Sequence, residues 1–345
     1  RDYIRVEVKK DPRLRIEKAD TTANAAGSKS MLDFGGGDFE PTTVTSQGGA
    51  VLEREVLRRE TVLTVVFHDQ VYAAQVSGRT LEAGRATLVA YRLSTPSAAG
   101  KDWKLRRFHA DRNVTIHYPG RTKKDEPYLA TIDAVRLLYD VPEDGSEPST
   151  VLEKDVEIRM RGEVAVLGPD GMLRATCSDR AWIGSLPSGA PDGGIARELL
   201  RHIALRGNAQ LARAVLAADG SEDSIRADAI DLVVWPQERE GDPVADRTDA
   251  AERASKMTAI HFAAVGDVHL DGAQVEGDTA RIVADDLHTP TPRVFAEGEG
   301  TTFTFRRLGR NQGLLGPGAR EDETTADGSP LVETEEDGRW MLRHV

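Results

Sequence analysis

The sequence predicts an all-β, antiparallel protein, and three observations predict it. Strict apolar–polar alternation recurs along the chain, as in Tyr3–Val8 and Thr301–Phe305, and places one side-chain set on each face of an extended strand. Turn residues recur every 8–15 positions, too often for long helices and well suited to short strands joined by tight connections. Pairs of strand-like stretches also repeat at a near-constant interval. The reading yields roughly fifteen or more short strands and almost no helix.

The repeat is clearest in Gly266-Asp-Val-His-Leu270, followed by Ile282-Val-Ala-Asp-Asp-Leu287. Gly207–Leu211 leads to Ile225–Leu232, Gly162–Val166 to Cys177–Ile183, Arg112–Ile116 to Thr131–Leu137, and Gly48–Leu52 to Phe67–Tyr72. Each opening residue precedes a recurring aspartate by a similar distance: 48 to 69, 112 to 133 and 207 to 228 are 21 residues, 162 to 179 is 17, and 266 to 285 is 19. The five aspartates (Asp69, Asp133, Asp179, Asp228, Asp285) are expected to face solvent or bond to a neighbouring turn.

The stretches between the units fit the same reading. Glu53–Glu60 is strand, since β-branched residues follow at once. Residues 20–47, rich in Gly, Thr and Ser, have room for short strands only. Gly168-Pro-Asp-Gly171 is a hairpin turn. Ile195–His202 is the best helix candidate, and 237–256 is an exposed charged insertion with a partly helical end. Residues 1–308 form the body; 309–345 read as a mobile acidic loop with room for one last strand.

Composition sets limits. The 345 residues carry 39% apolar, 5% aromatic and 30% charged side chains, with a net charge of −12. So polar a chain suits a thin, elongated shape with much surface per residue. The acidic balance argues against nucleic acid, which needs clustered Lys and Arg to displace counterions. The single cysteine, Cys177, excludes an intrachain disulfide and reads as a packed residue. No apolar run approaches a helical membrane span. The chain opens at Arg1 without Met or an apolar signal segment, as expected of a processed or trimmed piece. The eight histidines show no metal spacing, and no phosphate loop, dinucleotide loop or nucleophile elbow is present. No cofactor, metal or catalytic residue is expected.

The pattern Gly-x-Val-x-Leu, a turn, then Ala-Asp-x-Leu resembles the OstA-like, or LptA-like, family of lipopolysaccharide transport proteins. Gly266–Leu287 and Gly207–Leu232 carry the resemblance best, and by spacing it covers residues 48–290. It implies an elongated β-jellyroll, an open, taco-like fold of two sheets with an apolar groove, in the periplasm or cell envelope. Its implied partners are lipid acyl chains, and other OstA-like proteins or further copies joined through edge strands. Tyr3–Val8 and Thr301–Phe305 are the expected edges. The groove would be lined by Ala50, Leu52, Leu88, Val114, Ile116, Val164, Val166, Ala209, Leu211, Ile230, Leu232, Val268, Leu270 and Leu287. Each buried methylene contributes about 0.8 kcal/mol, so a twelve-carbon chain gains on the order of 10 kcal/mol before ordering costs. Two other readings stay open: an end-to-end scaffold with a closed core, and a glycan-binding β-sandwich. Four Trp and six Tyr make the last the weakest.

Overall fold

The computed structural model describes residues 2–16, 42–75, 78–94, 103–121, 127–142, 149–161, 171–197, 200–215, 222–236, 257–272, 275–287, 289, 293–305, 332–334 and 339–343. Among them are twenty strands, paired antiparallel in one sheet. The first are β1 (Asp2–Val8), β2 (Arg13–Ile16), β3 (Thr42–Thr45), β4 (Ala50–Val56), β5 (Glu60–Gln75), β6 (Thr80–Leu93), β7 (Lys104–Arg121) and β8 (Pro127–Asp140). Two pairs of short strands then replace long ones: β9 (Ser149–Glu153) with β10 (Val156–Arg161), and β11 (Gly171–Cys177) with β12 (Arg180–Gly184). Long strands resume with β13 (Arg201–Val215), β14 (Glu222–Pro236), β15 (Met257–Asp271) and β16 (Val275–Asp285). The set ends with β17 (Arg293–Glu297), β18 (Thr302–Phe305), β19 (Val332–Thr334) and β20 (Arg339–Arg343). From β4 to β8 and from β13 to β16 neighbours follow chain order, a meander of hairpins; in between, β9 and β10 both pair with β8, β12 pairs with β9 and β11 with β10, and β11 and β12 both pair with β13.

The long strands do not run straight. In β5, β7, β13 and β15 two residues oppose one residue of the next strand: Asp69 and Gln70 face Gly84, Arg112 and Asn113 face Val135, Gly207 and Asn208 face Asp228, and Gly266 and Asp267 face Ala280. This is a β-bulge, which bends the strand that carries it. All eight bulge residues have positive φ, as do Lys154 and Asp155 at the break between β9 and β10. Left-handed backbone is cheapest for Gly and tolerable for Asn and Asp, and four of the five pairs contain Gly, Asn or Asp at the second position or Gly at the first. Hydrogen bonding continues across the bend: the Ser178 N–H donates to the Gly207 carbonyl at 2.7 Å, and the Lys154 N–H to the Asp179 carbonyl at 2.7 Å.

The bends line up strand after strand and fold the sheet along a line of corners. Its two halves then face each other across one apolar core. The half before each bulge (for example 60–68, 201–206 and 257–265) is the B layer; the half after it (71–75, 209–215, 268–271) is the A layer. Inward positions keep their phase through the corner. In β5 the inward set is Leu63, Val65 and Phe67, then Val71 and Ala73. In β13 it is Ile203 and Leu205, then Ala209 and Leu211. Ala50, Ala86, Ala110, Ala209 and Ala264 sit next to corners, with Leu52, Leu88, Phe108, Leu211 and Phe262 one step out. Large residues such as Phe67 and Leu205 also flank corners and interleave with these alanines, as close packing of one core requires.

The recurring interval follows from this geometry. Gly48, Arg112, Gly207 and Gly266 all lie at corners, and one hairpin separates each from the corner of the next strand. Asp69, Asp179 and Asp228 also lie on the corner line. Asp133 does not: it lies on β8, two residues before its corner, and accepts from the Thr115 hydroxyl at 2.8 Å. Asp285 does not either: it ends β16, and its carboxylate bonds His261 Nδ1 at 2.6 Å. Gly162 and residues 168–170 of the expected turn fall outside the described residues; Gly171 opens β11.

One expected element is corrected. Ile195–His202 is not a helix: Arg201 and His202 open β13, and residues 185–197 form a loop. Its apolar residues fit the outer face of the B layer instead, where Leu186 and Leu200 pack on Val233 and Ile260. Arg197 ties the loop by donating to the carbonyls of Ala190, at 2.8 Å, and Pro187. The helical end of 237–256 lies outside the described residues. Within 309–345, β20 pairs with β17 and extends the B layer.

Candidate functional site

The inward faces divide into buried and partly buried positions. Of the fourteen groove positions expected, Ala50, Leu88, Val114, Ile116, Ala209, Ile230 and Val268 are buried, with Ile116 and Ala209 at 0% exposure. They are the packed floor of the wedge, and no chain lies over them without the layers parting. Leu52, Leu211, Leu232 and Leu270 are partly buried against the same core. Leu287 is in the turn after β16 and belongs to neither apolar cluster. Val164 and Val166 fall outside the described residues.

Further inward residues are likewise partly buried. On the B layer these are Leu63, Leu105, Ile203, Phe262 and Val294; on the A layer, Leu14 and Phe303. Leu211 and Leu270 of the A layer thus have Ile203, Leu232, Phe262 and Val294 as counterparts on the B layer. Sequence reasoning missed Ile203 and Phe262 because it counted only forward from Gly207 and Gly266. Counting backward by twos from the same glycines reaches Leu205 and Ile203, and Ala264 and Phe262. The bulge keeps the inward phase on both sides, so that signal is present in the sequence.

Polar residues interrupt the inward set near the mouth. Thr42, Thr61, Gln75, Thr150 and Arg201 are buried there, and the Gln75 amide donates to the Thr42 hydroxyl at 3.3 Å. Arg54 follows Ala50 and Leu52 on the inward face of β4. Arg92 follows Ala86, Leu88 and Ala90 on β6, with its guanidinium 5.2 Å from the Trp103 ring centre.

The outer faces are charged and largely matched. Arg159 bridges Asp133 and Glu157 at 3.1 and 3.2 Å, and Arg174 donates to Glu157 at 2.7 Å. On the outer B layer Asp231 takes His202 Nε2 at 2.7 Å and Arg206 Nη2 at 2.9 Å. Burial alone would raise the Asp231 carboxyl, but these two bonds outweigh it and hold the group below its usual range. His109 is held below the usual imidazole value by burial, which outweighs the pull of Asp140. Burial pushes the Cys177 thiol up, as suits a residue packed in the core rather than a nucleophile. A cleft of about 300 Å³ lies between the 191–194 loop and Ile260, Asp285, Asp286 and Arg293. It is on the outer side, away from the wedge, and its acids already have partners: His261 for Asp285 and Arg293 for Asp286, at 2.6 Å each. Among the described residues no three His, Cys, Asp or Glu side chains converge on a metal position.

Comparison of the chain with protein-family models, with characterised proteins and with solved structures finds no match.

Proposed function

We propose that this protein is a non-enzymatic, lipid-binding module of the cell envelope that holds acyl chains along the mouth of its folded sheet. The observation that carries the reading is the set of partly buried, inward-facing apolar side chains on both layers, Leu211 and Leu270 on one and Ile203 and Phe262 on the other. A closed sandwich buries its inner residues throughout; here Val65, Tyr139 and Val234 stay buried well out from the corners, while these four do not. A chain laid in the band covers apolar surface from two sides at about 25 cal/mol per Å², while a polar head stays in water. The lipopolysaccharide-like cargo and periplasmic setting belong to the family resemblance.

The test is lipid extraction and native mass spectrometry of protein from a Gram-negative host. Co-purifying lipid is expected, with strong loss in the Leu211→Gln/Leu270→Gln double variant. These rim positions tolerate polarity, whereas a charge at fully buried Val268 would unfold the wedge. A lipid-free protein that takes up no added lipid would overturn the reading.

A second reading, assembly through edge strands, rests on β1. Among the described residues it pairs only with β4, and Ile4, Val6 and Val8 are 48%, 46% and 40% exposed on one face. Through their partners Leu52 and Ala50, Val6 and Val8 continue the inner face of the B layer past the end of the core. Such an edge is a template for another strand.

A further inference from the structure

The mouth near β4–β6 differs from the rest of the apolar band. The inward alternation of β4 runs Ala50, Leu52, Arg54, and that of β6 runs Ala86, Leu88, Ala90, Arg92. Both arginines therefore stand where the floor ends and solvent begins. Arg54 lies directly across from Leu63, and Arg92 across from Thr61. With strands about 4.8 Å apart and residues about 3.3 Å apart along a strand, their α-carbons lie about 12 Å from each other.

What marks the two is their lack of acid partners among the described residues. In a chain with 57 Asp and Glu against 45 Lys and Arg, arginines on the outer faces of the adjoining strands are matched, Arg5 of β1 with Glu53 and Arg106 of β7 with Glu60. Arg54 and Arg92 form no ion pair among the described residues. Among the described residues the Arg92 guanidinium stacks over the Trp103 ring, 41% exposed at the lip. Arginine stacked on an aromatic face is oriented without being neutralised.

We infer that this end of the mouth recognises the anionic headgroup of an amphiphile, with Arg54 and Arg92 taking the negative charge and Leu52 and Leu63 the start of the chain. The inference rests on the groove reading above and adds the chemical class of the head, a phosphate or carboxylate. The two inward arginines would meet the anionic head directly, in a chain whose net charge is −12. Charge-assisted bonds to two guanidiniums give about ten- to hundredfold selection over a neutral head.

The experiment offers the full chain phosphatidylcholine vesicles doped with either phosphatidylglycerol or diacylglycerol of the same acyl composition. Protein is re-isolated and bound lipid is quantified by mass spectrometry. The expected result is at least tenfold preference for phosphatidylglycerol, falling with added salt and lost in Arg54→Gln/Arg92→Gln. That variant keeps its uptake of diacylglycerol, and Arg54→Lys/Arg92→Lys retains part of the preference. The retained neutral uptake shows that the glutamine variant is folded. Equal uptake of both lipids by the unaltered chain, or an unchanged preference in the glutamine variant, overturns the inference and leaves the groove standing. No uptake of either lipid overturns both.

Discussion

Replacing Gly266 with alanine tests the corner line where two separate costs meet. Gly266 has φ of +79°, a conformation that costs an L-residue about 1–2 kcal/mol. An added Cβ would also lie 2.8 Å from both Cβ and Cγ of Asp228 on the neighbouring strand. These are root atoms of the side chain, so β14 or β15 must move, at about 1–3 kcal/mol for an overpacked site. Loss of glycine's freedom in the unfolded chain returns about 0.4–1 kcal/mol. The net expectation is a loss of about 2–4 kcal/mol, read from equilibrium urea unfolding. Gly300→Ala separates the terms: its φ is +72° with nothing within 4 Å of the new carbon, so only the backbone cost of about 1 kcal/mol should appear. Moving the glycine across the pair, in Gly266→Ala/Asp228→Gly, should recover at least about 1 kcal/mol relative to the sum of the single changes. A loss at Gly266 no larger than that at Gly300 would refute the stacked-corner argument.

Two further outcomes follow from the same geometry. Asp231→Asn should destabilise by about 1–2 kcal/mol at neutral pH, since the bonds to His202 and Arg206 are made to a charged acceptor. The folded carboxyl is depressed, so its contribution is full above the unfolded value of about 3.9 and is lost as pH falls through the lower folded value. The difference between the unaltered chain and the variant in unfolding free energy should therefore vanish in acid, and a constant difference across pH would refute the assignment. If β1 pairs with another chain, sedimentation mass should rise with concentration and stay monomeric in Val6→Lys; a monomer at all concentrations counts against edge assembly.

The architecture was legible because it is written in short-range chemistry. Residues that tolerate left-handed backbone stand at the corners, and alternation on either side gives the inward faces. Gly207-Asn208 and Gly266-Asp267 carried both signals, so their units were read in register. Arg112-Asn113 was read through its spacing and Asn113 alone. Asp133 and Asp285 were grouped with the corner aspartates because an Ala or Val neighbour and a similar interval imitate the corner pattern; strand pairing, which sequence does not show, separates them. Arg201 and His202 were assigned to a helix because Ile195, Leu199 and Leu200 are spaced for one. Tertiary packing won: Leu200 is buried on Val233 and Ile260, and β13 has partners on both sides. Most of the groove list was inward-facing as expected, yet floor and rim could not be told apart. That distinction is a property of the folded sheet.

The separation of floor from rim decides how such a fold can hold a ligand. Beside the corners Ala209, Ala264 and Val268 are sealed, at 0%, 0% and 1% exposure, so room for a guest there would require the bulges themselves to open. Leu211, Leu270 and Phe262 are only partly buried against the same core. On the proposed reading an occupant would be held by its flank along these residues rather than enclosed, free to leave or slide without breaking the core. Enclosure would give tighter binding at the cost of slow release. A polar head at Arg54 and Arg92 would then supply what an open apolar strip lacks, a fixed end that sets the register of the chain beside it.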